Sequence, residues 1–459
     1  MVHRLALQLL DLSYKLVLTL IMSGVMRHKS ASRLDQLRTE IESRRSELVS
    51  VTKALLAIPT LNPPGLHYRD ICDWLDQRLQ ASAFETQLLR AVGTPGDSDK
   101  YPRWNIIARR EGSMPGETVH FNSHTDIVAL GEGWTKDPYG RDMKGDKIWG
   151  RGACDMKGGL AASIIAAEAF IALYPDYQGA IEISGTADEE TGGYGGVAWL
   201  AEQGFFNPDR VDHVIIPEPL NKDRICLGHR GVWWAEIETK GRIAHGSMPF
   251  LGDCAVRHMG AVLEEMETAL FPLLASRQTA MPVVPPQARQ STLNINSIHG
   301  GLPVPEDDFT GFPAALVPDR CVITIDRRYL IEEDPAEVKA EISQMMERIA
   351  DGRPDFAWEI RDLWEVHPTM TKKTAPVVGA VGRAIEQVTG SPAEFVVSPG
   401  TYDQKHIDRI GKLKNCIAYG PGILELAHQP DEWISIQDMM DSAAVMGLAL
   451  AELLGPDTR

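Results

Sequence analysis

Short apolar runs alternate with helical stretches between residues 105 and 216, and this alternation limits the fold more than any single motif does. Residues 105–108, 118–122, 180–185 and 213–216 read as short buried strands, separated by helical runs such as residues 159–173. Such a rhythm predicts an α/β fold, a mostly parallel sheet flanked by helices on both faces. From residue 232 the rhythm changes. A strand over 232–239, a helix from Cys254, strands over 291–298 and 321–329, a helix over 335–350 and a strand over 356–362 make a β-α-β-β-α-β unit. The α/β rhythm resumes after about residue 366. The chain is therefore expected to carry an α+β insertion, residues 230–365, within a discontinuous domain formed by residues 30–229 and 366–459. The proline-rich run Met281-Pro-Val-Val-Pro-Pro-Gln lies inside the insertion and reads as a loop without recognisable chemistry.

A chain of 459 residues exceeds what one hydrophobic core usually organises, and 44% hydrophobic with 24% charged residues is ordinary for a globular protein. Acidic residues outnumber basic ones by 63 to 46, and the formal charge of −17 opposes attraction to phosphate backbones and anionic lipid. Neither nucleic acid nor a membrane is expected as a partner. Six scattered cysteines form no CxxC pair and fit a reducing compartment, so a cytoplasmic location is expected. The apolar stretch 5–26 resembles a signal sequence, but Asp11 and Lys15 interrupt it and no small-residue cleavage site follows convincingly. Residues 1–29 are read as an extension, with Met22 and Met26 as alternative starts before the polar, helix-like segment 30–51.

Chemistry is concentrated in five clusters. Asn122-Ser-His124-Thr-Asp126 follows an apolar strand and sets His124 and Asp126 on one side of an extended segment. Taken alone it also suits a structural histidine. Gly150-Arg-Gly-Ala-Cys-Asp155-Met-Lys-Gly-Gly159 places a carboxylate in a glycine-rich turn before an apolar helix, where an N-cap is the plain alternative. Gly185-Thr-Ala-Asp-Glu189-Glu190-Thr-Gly-Gly193 ends a buried strand with adjacent carboxylates, which are tolerable in a cleft if one binds a cation while the other works as a base. A solvated acidic turn is the other reading. Ile216-Pro-Glu218-Pro and Leu426-Ala-His428-Gln-Pro-Asp-Glu add one carboxylate and one imidazole. Together His124, Asp155, Glu190, Glu218 and His428 can hold two divalent ions if one carboxylate bridges them. The imidazoles favour zinc, while cobalt and manganese are compatible with the set. Glu189 is the spare carboxylate.

These five motifs, in this order, resemble the M20 metallopeptidase and deacylase family, and the resemblance runs from about Ser46, through Ile58-Pro-Thr-Leu-Asn-Pro-Pro-Gly65, to the C-terminus. It implies that His124 and Glu218 ligate one metal, Glu190 and His428 the other, and that Asp155 bridges. It further implies that Asp126 orients His124, that Glu189 is the general base and acid, and that the Asp155–Met156 peptide is cis. The insertion is then a lid and dimerisation domain. Within it, Gly241-Arg-Ile-Ala-His245-Gly-Ser-Met-Pro249 resembles the segment whose histidine reaches a partner subunit's oxyanion. Gly228-His-Arg230-Gly and Asp326-Arg-Arg328 resemble segments whose arginines bind substrate carboxylates, and structural salt bridges are the alternative for each. Pro399-Gly-Thr401-Tyr-Asp403 resembles a substrate-contacting loop. Two departures stand out: Ala315-Leu-Val-Pro318 replaces the usual Asn-Val-Ile-Pro, removing a polar contact to substrate, and Tyr402 and Lys405 are bulkier than the pattern.

The implied activity is removal of an acyl group from an N-acyl amino acid or related small amide, with a carboxylate-bearing substrate and a homodimer. A metallo-carboxypeptidase or dipeptidase is the alternative, and Glu218 fits it better than an aminopeptidase. A catalytically dead scaffold is disfavoured because all seven inner residues are present.

Overall fold

The computed structural model describes residues 32–140, 142–301 and 314–455, so the expected N-terminal extension lies outside the described residues. Its main body is built on a nine-stranded sheet in the order Glu85–Arg90, Trp104–Glu111, Gln178–Thr186, Met114–His124, His213–Ile216, Cys416–Ala418, Arg224–His229 and Thr369–Met370, with Glu394–Ser398 also paired to Arg224–His229. Pairing is parallel across the four central strands and antiparallel toward both margins, apart from the parallel pairing of Glu394–Ser398 with Arg224–His229, so the sheet is mixed. The physical reason is local at one margin. Only Gly112 and Ser113 separate Trp104–Glu111 from Met114–His124, too short a connection for the crossover that parallel strands need.

Alternate side chains of each strand enter opposite faces. Ile106, Ile215, Ile225, Ile417 and Val397 join the larger hydrophobic cluster, whereas their neighbours Ile107, Val214, Cys226, Cys416 and Val396 join a second cluster on the other face. The larger cluster surrounds helix Gly158–Leu173, which is apolar on every side and packs against helix Ile436–Leu453. By length and composition this segment could cross a membrane, but it is buried inside the protein and is a core helix. Its one charged residue, Glu168, accepts hydrogen bonds from Arg78 (2.7 Å) and Ser82 (2.5 Å).

The insertion has its own antiparallel sheet, ordered Thr292–Gly300, Arg320–Tyr329, Gly231–Lys240 and Ala357–Val366. One face packs Trp233, Ala235, Ile237, Ile323 and Ile325 against helices Ala255–Glu265 and Pro335–Gly352. The second helix starts where sequence chemistry dictates, with Asp334 accepting from the amides of Ala336 and Glu337 and Pro335 at its first position. The proline-rich run is a strap. Met281 and Val283 are buried in the main-body cluster, and Val283 pairs with Val397 of the main sheet, tying the insertion to the body. The last strand runs longer than the expected 356–362 and carries a bulge between Asp362 and Trp364.

Gly159, in the first turn of the core helix, allows that helix to touch the residue before Glu218: a Cβ there would stand 2.0 Å from the Pro217 carbonyl oxygen. Backbone cannot yield as a flexible side chain can. Gly159→Ala is expected to lower unfolding free energy by about 1–3 kcal/mol in a urea titration, the usual scale of overpacking.

Candidate metal centre

Because the central strands are parallel, their carboxyl ends share one edge, and three of them deliver functional groups there. Met114–His124 ends on His124, Gln178–Thr186 leads into the Glu189–Thr191 turn, and His213–Ile216 leads to Glu218. Asp155 arrives from the turn Ala153–Lys157 before the core helix, and the Asp155–Met156 peptide is cis. His428 follows the short helical turn Leu424–Leu426 and has a left-handed backbone, φ 64°.

The two carboxylate oxygens of Asp155 face different imidazoles: Oδ1 lies 3.1 Å from His124 Nε2 and Oδ2 lies 3.5 Å from His428 Nε2. Glu218 Oε1 is 4.0 Å from His124 Nε2, and Glu190 Oε1 is 3.1 Å from His428 Nε2. The structure thus brings all five residues together, as two groups sharing Asp155. Burial opposes ionisation of Asp155, but its hydrogen bonds to the two histidines outweigh it and hold the carboxyl well below its ordinary range. Burial, with the Asp155 charge acting in the same sense, pushes Glu190 and Glu218 up. Three crowded carboxylates and two imidazoles are a donor set that fits two divalent cations, whose charge offsets this repulsion.

The supporting contacts are specific. His124 Nδ1 lies 3.1 Å from the backbone oxygen of Asp126 and 3.6 Å from its Oδ1, so the main chain is the nearer partner of that nitrogen. The Asp126 carboxylate instead accepts from the Glu189 amide (3.2 Å), the Glu190 amide (3.1 Å) and Asn62 Nδ2 (2.9 Å), holding the acidic turn against the end of the neighbouring strand. Glu432, fully buried, pairs with Arg151 at 2.7 Å and accepts from the amides of Cys154 (2.8 Å) and Asp155 (3.2 Å). Lys405 Nζ, almost fully buried, lies 3.0 Å from Glu189 Oε1. Burial disfavours the Lys405 ammonium, yet the charges of Glu189 and Asp403 raise its pKa. Sequence reasoning missed Asn62, Glu432 and the Lys405 pairing. The only available signals were a polar residue in the Ile58 to Gly65 segment and a glutamate four positions beyond His428.

Two adjoining cavities share Glu189, Glu190 and Thr401. One, of about 320 Å³, also touches Asp155, Glu218 and His428; the other, of about 470 Å³, extends toward the insertion. Arg230 and Arg328 are placed differently. Arg230 is buried, donates to the carbonyls of Pro399 (3.2 Å) and Gln290 (3.1 Å), and has its pKa pulled down to about 10 by burial and then by Arg328. Arg328 makes a two-pronged pair with Asp326 at 2.7 and 2.9 Å. His245 is exposed, on a two-residue strand beside Leu316 and Val317, with Nδ1 accepting from the Ser247 amide at 3.1 Å.

A two-part candidate metal site at the carboxyl edge of such a sheet, with a spare glutamate beside it, is the arrangement that a metal-dependent hydrolase needs. Residues 120–452 match the model of Peptidase family M20/M25/M40, and the chain belongs to that family. A succinyl-diaminopimelate desuccinylase of Polynucleobacter necessarius is 26% identical over 417 residues, covering 89% of this chain and all of that protein. Among solved structures, human carnosine dipeptidase 1 aligns with a TM-score of 0.69 at 19% identity, covering 92% of this chain and 99% of that one. The metallo-carboxypeptidase Sso-CP2 of Sulfolobus solfataricus aligns with a TM-score of 0.70 at 17% identity, covering 88% and 98%. These two likenesses concern the fold.

Glu432→Ala leaves the buried Arg151 charge uncompensated and frees the amides that hold the Asp155 turn. The expected loss is about 3–5 kcal/mol of unfolding free energy, the scale for breaking a buried pair on one side, read by chemical denaturation.

Proposed function

We propose that this protein is a dinuclear metal-dependent amidohydrolase that removes an acyl group from an N-acyl amino acid or related small amide. The observation that carries the reading is Asp155, which offers one oxygen to each imidazole while Glu189 stays outside that set. The curated relative is named for a desuccinylation, which supports a deacylase. His124, Glu218 and Asp155 would hold one ion and His428, Glu190 and Asp155 the other, with zinc favoured by the imidazoles. The chemistry that such ions supply when bound is acidification of a shared water and polarisation of the scissile carbonyl.

The chain's own residues do the rest. Glu189 takes the proton from the attacking water at a carboxylate oxygen and returns it to the departing amine nitrogen. Lys405 holds that carboxylate in the cleft through its 3.0 Å contact. Thr401, at the junction of the two cavities, is placed to contact substrate, and Arg230 and Arg328 could meet a substrate carboxylate only by giving up part of their present pairing. Residues 230–365 act as the lid and dimerisation domain of a body formed by residues 30–229 and 366–459. Support for a homodimer comes from the surface around His245, where Ile243, Met248, Phe250 and Leu251 are exposed, Phe250 at 78%. In that dimer His245 donates to the oxyanion formed in the partner's site. The six cysteines are free thiols, which supports a cytoplasmic location. The carboxypeptidase or dipeptidase alternative is separated by assaying dipeptides beside formyl, acetyl and succinyl amides.

Dialysis against a strong chelator is expected to abolish hydrolysis and zinc or cobalt to restore it; full turnover in protein shown metal-free by elemental analysis refutes the mechanism. Glu189→Gln should keep its metal and lose at least roughly a hundredfold in kcat. Mixing inactive His245→Ala with inactive Glu189→Ala subunits should restore activity to at most about half the wild-type level per heterodimer, because one site regains both groups. No recovery after exchange confirmed by mass places His245 outside the partner's chemistry.

A further inference from the structure

The 470 Å³ cavity beside Glu189 and Glu190 has an aromatic wall that the proposed hydrolysis does not use. Tyr194 comes from the main body, and Trp234 and Trp364 come from the sheet of the insertion. The two indoles are cross-strand partners in edge-to-face contact, with centroids 5.4 Å apart and planes at 77°. Strand alternation places Trp234 on the cleft side, since its neighbours Trp233 and Ala235 fill the insertion's own core. Trp364 reaches the same side through the bulge. Asp362 opposes Ala235, Trp364 opposes Trp234, and the extra residue, Leu363, is left exposed at 43%. Without the bulge Leu363 would stand where the second indole stands. A bulge beside a site that re-aims one side chain is a common local device for this purpose.

The indole nitrogens of the neighbouring tryptophans differ in their pairing. A buried tryptophan ordinarily pairs its N–H. Trp233, on the core side, does so, donating to Asp362 Oδ1 at 2.7 Å. Trp234 and Trp364 both have Nε1 shielded from solvent without a hydrogen-bond partner. Charge narrows the ligand further. Neither Arg230 nor Arg328 lines either cavity, and Lys405, the cation in this wall, is paired with Glu189. A terminal carboxylate such as that of a succinyl group therefore has no free cationic partner among these lining residues, and neither carboxylate of the wall is free for a trimethylammonium group, Glu189 being paired with Lys405 and Glu190 with His428. A single aromatic ring needs a cavity of about 150 Å³, so the space takes a ring with its linker.

We propose that Tyr194, Trp234 and Trp364 form a specificity subsite for an aryl or heteroaryl substituent of the substrate, so that the protein prefers ring-bearing amides. The inference rests on the amide hydrolysis above for the position of the scissile bond, but the subsite itself is open to direct binding.

The test uses the metal-loaded enzyme and pairs matched in size. N-phenylacetyl-alanine is compared with N-cyclohexylacetyl-alanine for a ring on the acyl side, and N-acetyl-phenylalanine with N-acetyl-cyclohexylalanine for a ring on the amine side. Because each pair buries similar apolar area, a difference reports ring geometry. The aromatic member of at least one pair should be favoured about three- to tenfold in kcat/KM, the scale of aromatic pairing beyond area burial. Trp364→Leu and Trp234→Leu should each remove that preference and Trp364→Phe should restore most of it, a rescue that a merely structural role does not produce. Equal kcat/KM within both pairs, or a preference unchanged in both leucine variants, overturns the subsite. So does faster turnover of N-acetyl-trimethyllysine than of N-acetyl-phenylalanine, which assigns the wall to a quaternary cation. If none of these amides is hydrolysed, the deacylase reading is decided by the separate panel of formyl and succinyl amides and dipeptides, and titration of the tryptophan emission with phenylacetate and cyclohexylacetate still decides the subsite: tighter phenylacetate binding that is lost in Trp364→Leu upholds it, and its absence overturns it.

Discussion

Asp155 lies between two imidazoles and close to two further carboxylates in a cleft that water screens poorly, and the surrounding structure is organised around that crowding. Like charges at such distances repel strongly in a low dielectric, so the carboxylates need both counter-charge and fixed positions. Divalent ions would provide the first. Backbone amides provide much of the second: Glu432 gathers those of Cys154 and Asp155, and Asp126 gathers those of Glu189 and Glu190. Each of these two organisers is itself anchored, Glu432 by Arg151 and Asp126 by Asn62. The positions of the candidate ligand carboxylates thus depend on a layer of charge-assisted hydrogen bonds behind them.

The same geometry divides labour between the two parts of the molecule. The main body supplies the acidic and imidazole groups from the edge of parallel strands, where neighbouring strand ends lie only a few ångströms apart. The insertion supplies apolar surface. Its own core accounts for one face of its sheet, and the opposite face turns two indoles toward the acidic turn. The proline-rich strap ties the insertion to the body, with Val283 paired to Val397 immediately before the loop that bears Thr401 and leads into the helix Gln404–Arg409 carrying Lys405. Rigidity in that loop matters because Lys405 is the partner of Glu189.

The sequence by itself determined the architecture of the centre and the membership of the candidate metal set. Apolar periodicity marked the central strands, and His124, Asp155, Glu190, Glu218 and His428 were legible because each sits in a local context of strand end, glycine-rich turn or proline punctuation that sequence records directly. Tertiary structure alone decided three matters. It set the direction of Arg224–His229 and of its partner Thr369–Met370, since pairing partners far apart in sequence leave no local trace. It decided which charges are buried together: Arg151 with Glu432 and Lys405 with Glu189 lie 281 and 216 residues apart, and burial is a property of the packed chain rather than of either residue. Finally it decided which side chains face the cleft. One bulged residue reverses the parity of a strand, so the alternation that identifies Ala357–Val366 as a strand cannot say that Trp364, rather than Leu363, stands beside Trp234.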